Sequence, residues 1–207
     1  QDDLVTLYHA DIRDIADELE QPDVMVTDPP YGIRYCARES YGGDRRAQSI
    51  VGDESTDLMQ WIATRWPETP VVMFGSHKVG VPFRPNATLV WEKGENSGMG
   101  DLAMPWKPNW ELIFVRGRTW RGRRTSGVLR YPVVSTRAQG RLHPTEKPVE
   151  LLMELISKAP PGMVLDPCAG SGSTLEAARR LGRGAIGVEI DERWCAAAAK
   201  RLVADSR

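Results

Sequence analysis

The sequence has few cysteines and histidines and no long apolar run. Its three cysteines, Cys36, Cys168 and Cys195, are odd in number and far apart, and the three histidines do not cluster with them at ligand spacing. This pattern argues against a disulfide framework and against a zinc site, so free thiols are expected. No stretch of 18 apolar residues is present, and the acidic residues 1–3 do not open a secretory signal. A cytoplasmic protein without a membrane partner is therefore predicted.

Net charge is also scarce, because acidic and basic residues nearly balance. The 207 residues include 27 Lys and Arg against 28 Asp and Glu, and 41% are hydrophobic. This length and composition suit one globular domain with a sizeable core, so residues 1–207 are predicted to form a single domain. Strand-like segments lie near residues 4, 24, 72, 89, 113, 164 and 186, separated by helical patterns and loops. They predict seven strands in an α/β fold.

The tetrapeptide Asp28-Pro29-Pro30-Tyr31 follows an apolar strand at residues 23–27. The two prolines stiffen the backbone and leave its carbonyls as free acceptors. A carboxylate, a rigid carbonyl and an aromatic face are thus presented together at the end of a strand, where open α/β sheets place their chemistry. Asp28 and the Pro29 carbonyl could accept both hydrogens of an NH2 group while Tyr31 stacks on the ring that carries it. The alternative is a proline-rich turn with a capping Asp28 and a half-buried Tyr31.

The segment after this tetrapeptide is polar and contains glycine. Residues 32–55 are predicted to form a long loop beside the site, of the kind that often serves as a lid or binding loop. A disordered surface excursion is the alternative.

A second motif combines a strand, a glycine-rich turn and a helix start. Asp166-Pro167-Cys168-Ala169-Gly170-Ser171-Gly172 would let the backbone approach a ligand at a helix amino terminus. Glu189 ends the next strand, 17 residues after Gly172, where an acidic residue can accept both hydroxyls of a ribose. A dinucleotide fingerprint would need a third glycine where this chain has Leu175. A nucleoside ligand without a pyrophosphate fits better.

Basic residues are concentrated in one segment, residues 116–142, which contains no acidic residue. Guanidinium groups pair with phosphate oxygens and release counterions from a nucleic-acid backbone, so this segment is a candidate DNA-contact surface. A solvated basic loop is the alternative. The residues predicted to contact DNA are Arg116, Arg118, Arg121, Arg123, Arg124, Arg130 and Arg137.

Three motifs, in this order, resemble those of the β-group amino-DNA methyltransferases. They are Asp28-Pro29-Pro30-Tyr31, then His143-Pro144-Thr145-Glu146-Lys147-Pro148, then the glycine-rich motif at residues 165–172 with Glu189. The resemblance covers nearly the whole chain, with the catalytic motif before the cofactor motif in a circular permutation of the usual order. It implies a seven-stranded, mostly parallel sheet with one reversed strand and helices on both faces.

The resemblance also implies S-adenosylmethionine as cofactor and double-stranded DNA as partner. It leaves a homodimer and a restriction endonuclease partner open, and it places segment 116–142 where the family has its target-recognition region. The catalytic residues that it implies are Asp28, Pro29, Pro30 and Tyr31. The cofactor-binding residues that it implies are Asp11, Thr145, Lys147, Asp166, Pro167, Cys168, Gly170, Ser171, Gly172 and Glu189, with Asp11 near the adenine, Glu189 at the ribose, Thr145 and Lys147 near the carboxylate, and residues 166–172 around the methionine end.

The expected reaction is direct methyl transfer to an exocyclic amine of a flipped base. Adenine N6 is the first choice because Asp28 leads the tetrapeptide, and relatives acting on cytosine N4 more often carry Ser there. Three alternatives remain at this point: a cytosine-N4 methyltransferase, a nucleic-acid-binding module that keeps the fold without turnover, and a nicotinamide-dependent oxidoreductase. RNA or protein amide substrates are also open.

Overall fold

The computed structural model describes residues 4–34, 36–37, 48–95, 103–134 and 145–204. Arg137, His143 and Pro144, together with most of the loop 32–55 before residue 48, lie outside the described residues. The strands are β1 Val5–His9, β2 Val24–Thr27, β3 Cys36–Ala37, β4 Gln48–Ser49, β5 Val71–Gly75, β6 Ala87–Glu92, β7 Trp110–Arg116, β8 Val128–Arg130, β9 Val164–Asp166 and β10 Ala185–Glu189. The helices are α1 Ile12–Ile15, α2 Asp57–Arg65, α3 Val149–Ser157, α4 Ser173–Arg180 and α5 Glu192–Ala204.

The main sheet has the strand order β1-β10-β9-β2-β5-β7-β6-β8, and β3 pairs with β4 in a separate antiparallel ribbon. Strand β7 is antiparallel to both of its neighbours, and every other described pairing in the main sheet is parallel. The predicted α/β fold with a mostly parallel sheet and one reversed strand is confirmed. The predicted count of seven strands in the sheet is too low, because the described residues form a main sheet of eight strands.

The extra strand is β8, which lies inside the arginine-rich segment 116–142, where no strand was predicted. It pairs with β6 through Val90↔Val128 and Glu92↔Arg130. Three residues with a single buried side chain, Leu129, carry too little alternation to be distinguished from a loop by sequence.

The central strand β2 is buried on both sides, as its unbroken apolar run requires. Val24 and Val26 pack into a core that includes α3 and α4 residues. Met25 points to the opposite face and packs with Ile12 of α1 and with α2 residues. Helices therefore cover both faces of the sheet, as predicted.

The direction of the strands decides which loops meet. Strands β1, β10, β9, β2 and β5 are parallel neighbours, so their carboxyl ends lie along one edge of the sheet. Since β7 runs the other way, it brings its first residues, Trp110 and Glu111, to that same edge. Its last residue, Arg116, lies beside Val71 at the opposite edge, about 20 Å away at the usual strand rise.

Helix α1 is the shortest helix in the described residues. It is a single turn capped by Asp11, which accepts a hydrogen bond from Arg13 N at 2.9 Å. Within the described ranges, every helix is too short or too polar to cross a bilayer.

Candidate functional site

A cavity of about 670 Å³ opens at the carboxyl edge of the sheet. It is bordered by the loops that follow β1, β2, β5, β9 and β10, and by the start of β7. The cavity brings together residues from all three sequence motifs. Its lining includes Asp11, Asp28, Pro29, Pro30, Tyr31, Thr145, Lys147, Asp166, Pro167, Cys168, Gly170, Ser171 and Glu189. Gly172 does not line it, although it shapes the loop that does.

The turn that follows the tetrapeptide is held by a hydrogen bond to Asp53, a residue that the sequence did not predict at the site. Asp53 is 3% exposed, and its Oδ1 accepts a hydrogen bond from Gly32 N at 2.8 Å. Gly32 has a φ of +72°, and a Cβ there would lie 2.9 Å from the Ser55 carbonyl carbon, so the turn after Tyr31 requires glycine. Residues 50–55 of the following loop line the cavity.

Asp28 is surrounded by donors. The Tyr31 hydroxyl lies 2.5 Å from Asp28 Oδ1, and Lys147 Nζ pairs with Oδ2. Burial raises the pKa of the Asp28 carboxyl, and nearby Glu111 adds to that effect, while Lys147 opposes it. Asp28 is therefore a stronger base than an exposed aspartate.

Glu111 completes a network of charges that no sequence motif indicated. Its Oε1 accepts a hydrogen bond from the Tyr31 hydroxyl at 2.6 Å and lies 3.2 Å from Lys147 Nζ. Its Oε2 lies 2.6 Å from Lys93 Nζ. Burial alone would raise the pKa of Glu111, but Lys147 and Lys93 outweigh it and lower the pKa to about 2. Two carboxylates and two ammonium groups thus share one small volume.

An aromatic floor supports Lys147, which is only 7% exposed. Its ammonium lies 4.9 Å from the centre of the Phe74 ring and 6.0 Å from that of Trp91. Burial lowers the pKa of Lys147, yet Asp28 and Glu111 more than compensate, so the net pKa is raised and the group is a cation. A buried cation of this kind is stable because it is both paired and faced by π systems.

The segment that carries Lys147 is anchored by an ion pair on its other side. The neighbouring Glu146 pairs with Arg201 of α5, and Arg201 also donates to the Ser171 carbonyl at 3.0 Å and to Ser173 Oγ at 2.7 Å. One arginine therefore ties the middle motif to the glycine-rich loop. Thr145, just before Glu146, lines the cavity as well.

The glycine-rich loop between β9 and α4 is tightly constrained. Gly172 has a φ of +81° and is the N-cap of α4. A Cβ on Gly172 would lie 2.9 Å from the Cβ of Ala198 in α5, so glycine is required both for its φ and for its close approach to α5. The loop's Gly170 N donates to Glu189 Oε2 at 2.8 Å.

Glu189 connects two loops at the end of β10. Its second oxygen accepts a hydrogen bond from Asp191 N at 2.7 Å, so the carboxylate spans the glycine-rich loop and the turn into α5. Burial raises the pKa of Glu189, partly offset by these backbone donors. Asp11 lies near the end of the adjacent strand β1, where Arg13 holds its carboxylate and lowers its pKa.

Asp166 is buried behind the same loop, and its carboxyl has a raised pKa. It is 3% exposed, accepts a hydrogen bond from Cys168 N at 3.1 Å, and has a pKa that burial raises to about 6. Burial also raises the pKa of the Cys168 thiol, which is thus held in its neutral, poorly nucleophilic form.

We expect the Asp166→Asn variant to gain stability relative to the parent chain as pH rises from about 4 to about 6. A folded-state pKa above the unfolded value means that the parent binds more protons when folded, so its unfolding free energy falls across this window. Between these pH values, the unfolding free energy of the variant should rise relative to that of the parent by up to about 3 kcal/mol, which corresponds to the full pKa shift of Asp166. Urea unfolding at several pH values measures it. A pH-independent difference between the two proteins would contradict the raised pKa.

The arginine-rich segment lies largely away from this cavity. Arg116 turns inward and donates to the carbonyls of Ala63, Trp66 and Thr69 at 3.1, 2.6 and 3.1 Å. It therefore has a structural role that the sequence did not predict. Arg130 reaches the carboxyl edge and pairs with Glu92 at 2.9 Å.

Between these two residues, the segment is held near the opposite edge of the sheet. Gly117 N donates to Asn86 Oδ1 at 2.8 Å, and Arg121 N donates to the Lys158 carbonyl, also at 2.8 Å, at the end of α3. The exposed arginines here are Arg118, Arg121, Arg123 and Arg124. None of them lines the cavity.

Two further residues that sequence reasoning missed at the site, Glu111 and Lys93, belong to the β6–β7 region. The only local signal for them is a charged residue at the end of a mostly apolar strand: Lys93 follows β6, and Glu111 is the second residue of β7. Recognising them would have required knowing that β7 runs backwards.

Comparison with solved structures identifies the class of fold that this sheet defines. The M1.HpyAVI complex with S-adenosylmethionine aligns with a TM-score of 0.68 at 24% identity, covering 96% of this chain and 98% of that one. The cytosine-N4-specific PvuII DNA methyltransferase aligns with a TM-score of 0.69 at 17% identity, covering 96% of this chain and 86% of that one. The fold is that of the Rossmann-like DNA methyltransferases.

Sequence comparison identifies the family. A family model described as DNA methylase, of the N6/N4 type, matches residues 85–200. YubD of Escherichia coli (strain K12) is 30% identical over 201 residues, covering 89% of this chain and 83% of YubD. The type II methyltransferase M2.DpnII of Streptococcus pneumoniae is 42% identical over 66 residues, 31% of this chain and 25% of that protein. The chain belongs to the DNA methylase family, and the resemblance found from the motifs is confirmed.

Proposed function

We propose that this protein transfers a methyl group from S-adenosylmethionine to the N6 amine of adenine in DNA. The observation that carries the proposal is the cavity in which the amine-accepting tetrapeptide faces the glycine-rich loop and Glu189. Its volume is within the usual range of small-molecule sites and suits a nucleoside cofactor with a base entering beside it. Family membership favours this interpretation over a nicotinamide-dependent enzyme.

The residues around the glycine-rich loop fit S-adenosylmethionine by their chemistry. Glu189 offers a carboxylate to ribose hydroxyls, Asp11 lies at the neighbouring strand end, and residues 166–171 line the cavity beside them. M1.HpyAVI and TTHA0409 of Thermus thermophilus, which share this fold, have been solved with S-adenosylmethionine. When bound, this cofactor supplies an electrophilic methyl group on a sulfonium.

The tetrapeptide would activate the amine. The lone pair of an exocyclic amine is delocalised into the base, so the nitrogen is a weak nucleophile until acceptors draw on both of its hydrogens. In our proposal, Asp28 and the Pro29 carbonyl supply those acceptors. After transfer the nitrogen carries one proton too many, and Asp28, whose pKa is raised by burial, accepts it. The neutral Cys168 thiol takes no part in a covalent step.

The choice of adenine rests on Asp28 as the first residue of the tetrapeptide. Adenine N6 and cytosine N4 present the same two hydrogens, and the fold likeness to a cytosine-N4-specific enzyme does not separate them. The target amine is inaccessible in a stacked duplex, so the base is proposed to flip into the cavity beside Tyr31.

Several further features stay predictions. They are the cofactor roles of Thr145 and Lys147, the single-domain organisation, the role of loop 32–55, a homodimer and a restriction endonuclease partner.

Incubation with labelled S-adenosylmethionine and unmodified genomic DNA, followed by nucleoside mass analysis, tests the proposal. N6-methyladenine is the expected product. If N4-methylcytosine forms instead, the target base is cytosine and the proposed mechanism is kept. If the cofactor binds but no methylated nucleoside forms, a binding module or a substrate other than DNA is favoured.

The exposed arginines are proposed to contact DNA phosphates at a distance from the flipped base. Replacing Arg118, Arg121, Arg123 and Arg124 with glutamine should weaken DNA binding and reduce the slope of log K against log salt by up to about 3 to 4, because each phosphate contact contributes close to one counterion. Fluorescence anisotropy at several salt concentrations measures the slope. An unchanged slope would favour the alternative that the segment is a solvated basic loop without DNA contacts. Replacing the inward-facing Arg116 is not part of this test, since its guanidinium supports the fold.

A further inference from the structure

Asp28 and Glu111 share the same two hydrogen-bond donors. The Tyr31 hydroxyl is 2.5 Å from Asp28 and 2.6 Å from Glu111, and it has one hydrogen to give. The Lys147 ammonium pairs with Asp28 and lies 3.2 Å from Glu111. Each carboxylate therefore determines how much of these donors the other receives.

Lys93 holds Glu111 from the far side. Its ammonium is 2.6 Å from Glu111 Oε2 and 4.8 Å from the centre of the Trp91 ring. With Lys93 on one oxygen and Tyr31 and Lys147 on the other, the Glu111 carboxylate is held at both ends, and only 12% of its side chain is exposed. The position of Glu111 is thus as well defined as that of Asp28.

We propose that Glu111 is a positioning residue for methyl transfer. It draws the Tyr31 hydroxyl and the Lys147 ammonium partly away from Asp28, and so leaves lone pairs of Asp28 available to the hydrogens of the target amine. This inference rests on the proposed function. It adds a second carboxylate, 83 residues away in sequence, to the machinery that the tetrapeptide alone defines.

The surroundings of Asp28 determine the sign of the expected change. Five titratable groups face it: Tyr31 from its own loop, Lys147 from the segment before α3, Glu111 from β7, Asp166 from β9 and Cys168 from the glycine-rich loop. Replacing Glu111 with Gln removes a like charge near Asp28 and leaves a neutral amide oxygen, which competes more weakly than a carboxylate for Lys147 and Tyr31. Both changes stabilise the Asp28 carboxylate and make it a weaker acceptor.

The test compares Glu111→Gln with Glu92→Gln. Glu92 lies at the same edge of the sheet, on β6, but pairs with Arg130 and touches neither Asp28 nor Lys147. Asp28 is titrated in the cofactor-free protein by carbon NMR of labelled aspartate carboxyls, its signal being assigned from its absence in Asp28→Asn. We expect its titration to move to lower pH in Glu111→Gln and to stay in place in Glu92→Gln.

The rate of methyl transfer provides a second measurement. We expect kcat to fall at least about tenfold in Glu111→Gln, with the acidic limb of its pH profile moving in the same direction as the NMR titration and KM for S-adenosylmethionine little changed. A fall in kcat with an unmoved limb and an unmoved titration would overturn the proposal. An inactive parent enzyme would refute the proposed function alone, because the titration needs no turnover.

A charge-balanced variant guards against misfolding. Glu111→Gln leaves the ammonium groups of Lys147 and Lys93 with one carboxylate, so the double variant Glu111→Gln/Lys93→Gln restores neutrality in the network. The downward movement of the Asp28 titration should persist in the double variant. Its absence there, in a folded protein, would count against the proposal.

Discussion

Methyl transfer is expected to fall by about three orders of magnitude or more in the Asp28→Ala variant. The side chain is the proposed acceptor for one amine hydrogen and the proposed acceptor for the surplus proton after transfer. Its loss should leave the cofactor region largely intact, because Glu189 and the glycine-rich loop do not contact it through any described hydrogen bond. Single-turnover rates with labelled cofactor measure the effect, and calorimetry checks that S-adenosylmethionine binding persists.

Two comparisons sharpen this prediction. Asp28→Asn keeps one oxygen acceptor and the shape of the side chain, so it separates the carboxylate's charge from its volume. Asp17→Ala removes an aspartate whose side chain is 97% exposed and should change nothing at the site. Retained transfer in Asp28→Ala would remove the tetrapeptide from the mechanism.

The second large effect is expected at Glu189, where alanine should weaken S-adenosylmethionine binding by about a hundredfold. Two hydrogen bonds from ribose hydroxyls to a carboxylate amount to about 3 kcal/mol, which is a factor of this size in Kd. Isothermal titration calorimetry without DNA measures it directly. Because burial raises the pKa of Glu189, its carboxylate is protonated at a higher pH than that of an exposed glutamate. As the pH is lowered, the affinity for S-adenosylmethionine should therefore begin to fall earlier.

The control for this variant is Glu192→Gln, an exposed carboxylate in the first turn of the adjacent helix α5. Glu189 also accepts hydrogen bonds from Gly170 N and Asp191 N, so its removal could loosen both loops. Glu189→Gln keeps an acceptor of similar size and tests this point. Wild-type affinity in both Glu189 variants would mean that the ribose is held elsewhere.

The sequence by itself determined the local parts of the site. Asp28, Pro29 and Tyr31 could be recognised because two prolines after a buried strand restrict the backbone through their own local geometry. The glycine-rich turn could be recognised for the same reason, since Gly172 must adopt a positive φ wherever the loop lies. Seven strands followed from apolar, β-branched runs, and the order of the three motifs identified the family.

Only the tertiary structure determined which residues meet at the site. Glu111 lies beside Asp28 because β7 runs against its neighbours, and Lys93 pairs with Glu111 from the end of β6. Lys147 pairs with Asp28, and Arg201 holds the adjacent Glu146. The same reversal carries Arg116 and the arginines after it toward the opposite edge of the sheet. Strand direction and order are set by packing between segments far apart in the chain, whereas turns and strand propensities are set by neighbouring residues. The motifs could therefore be recognised in the sequence, but the charge network around them could not.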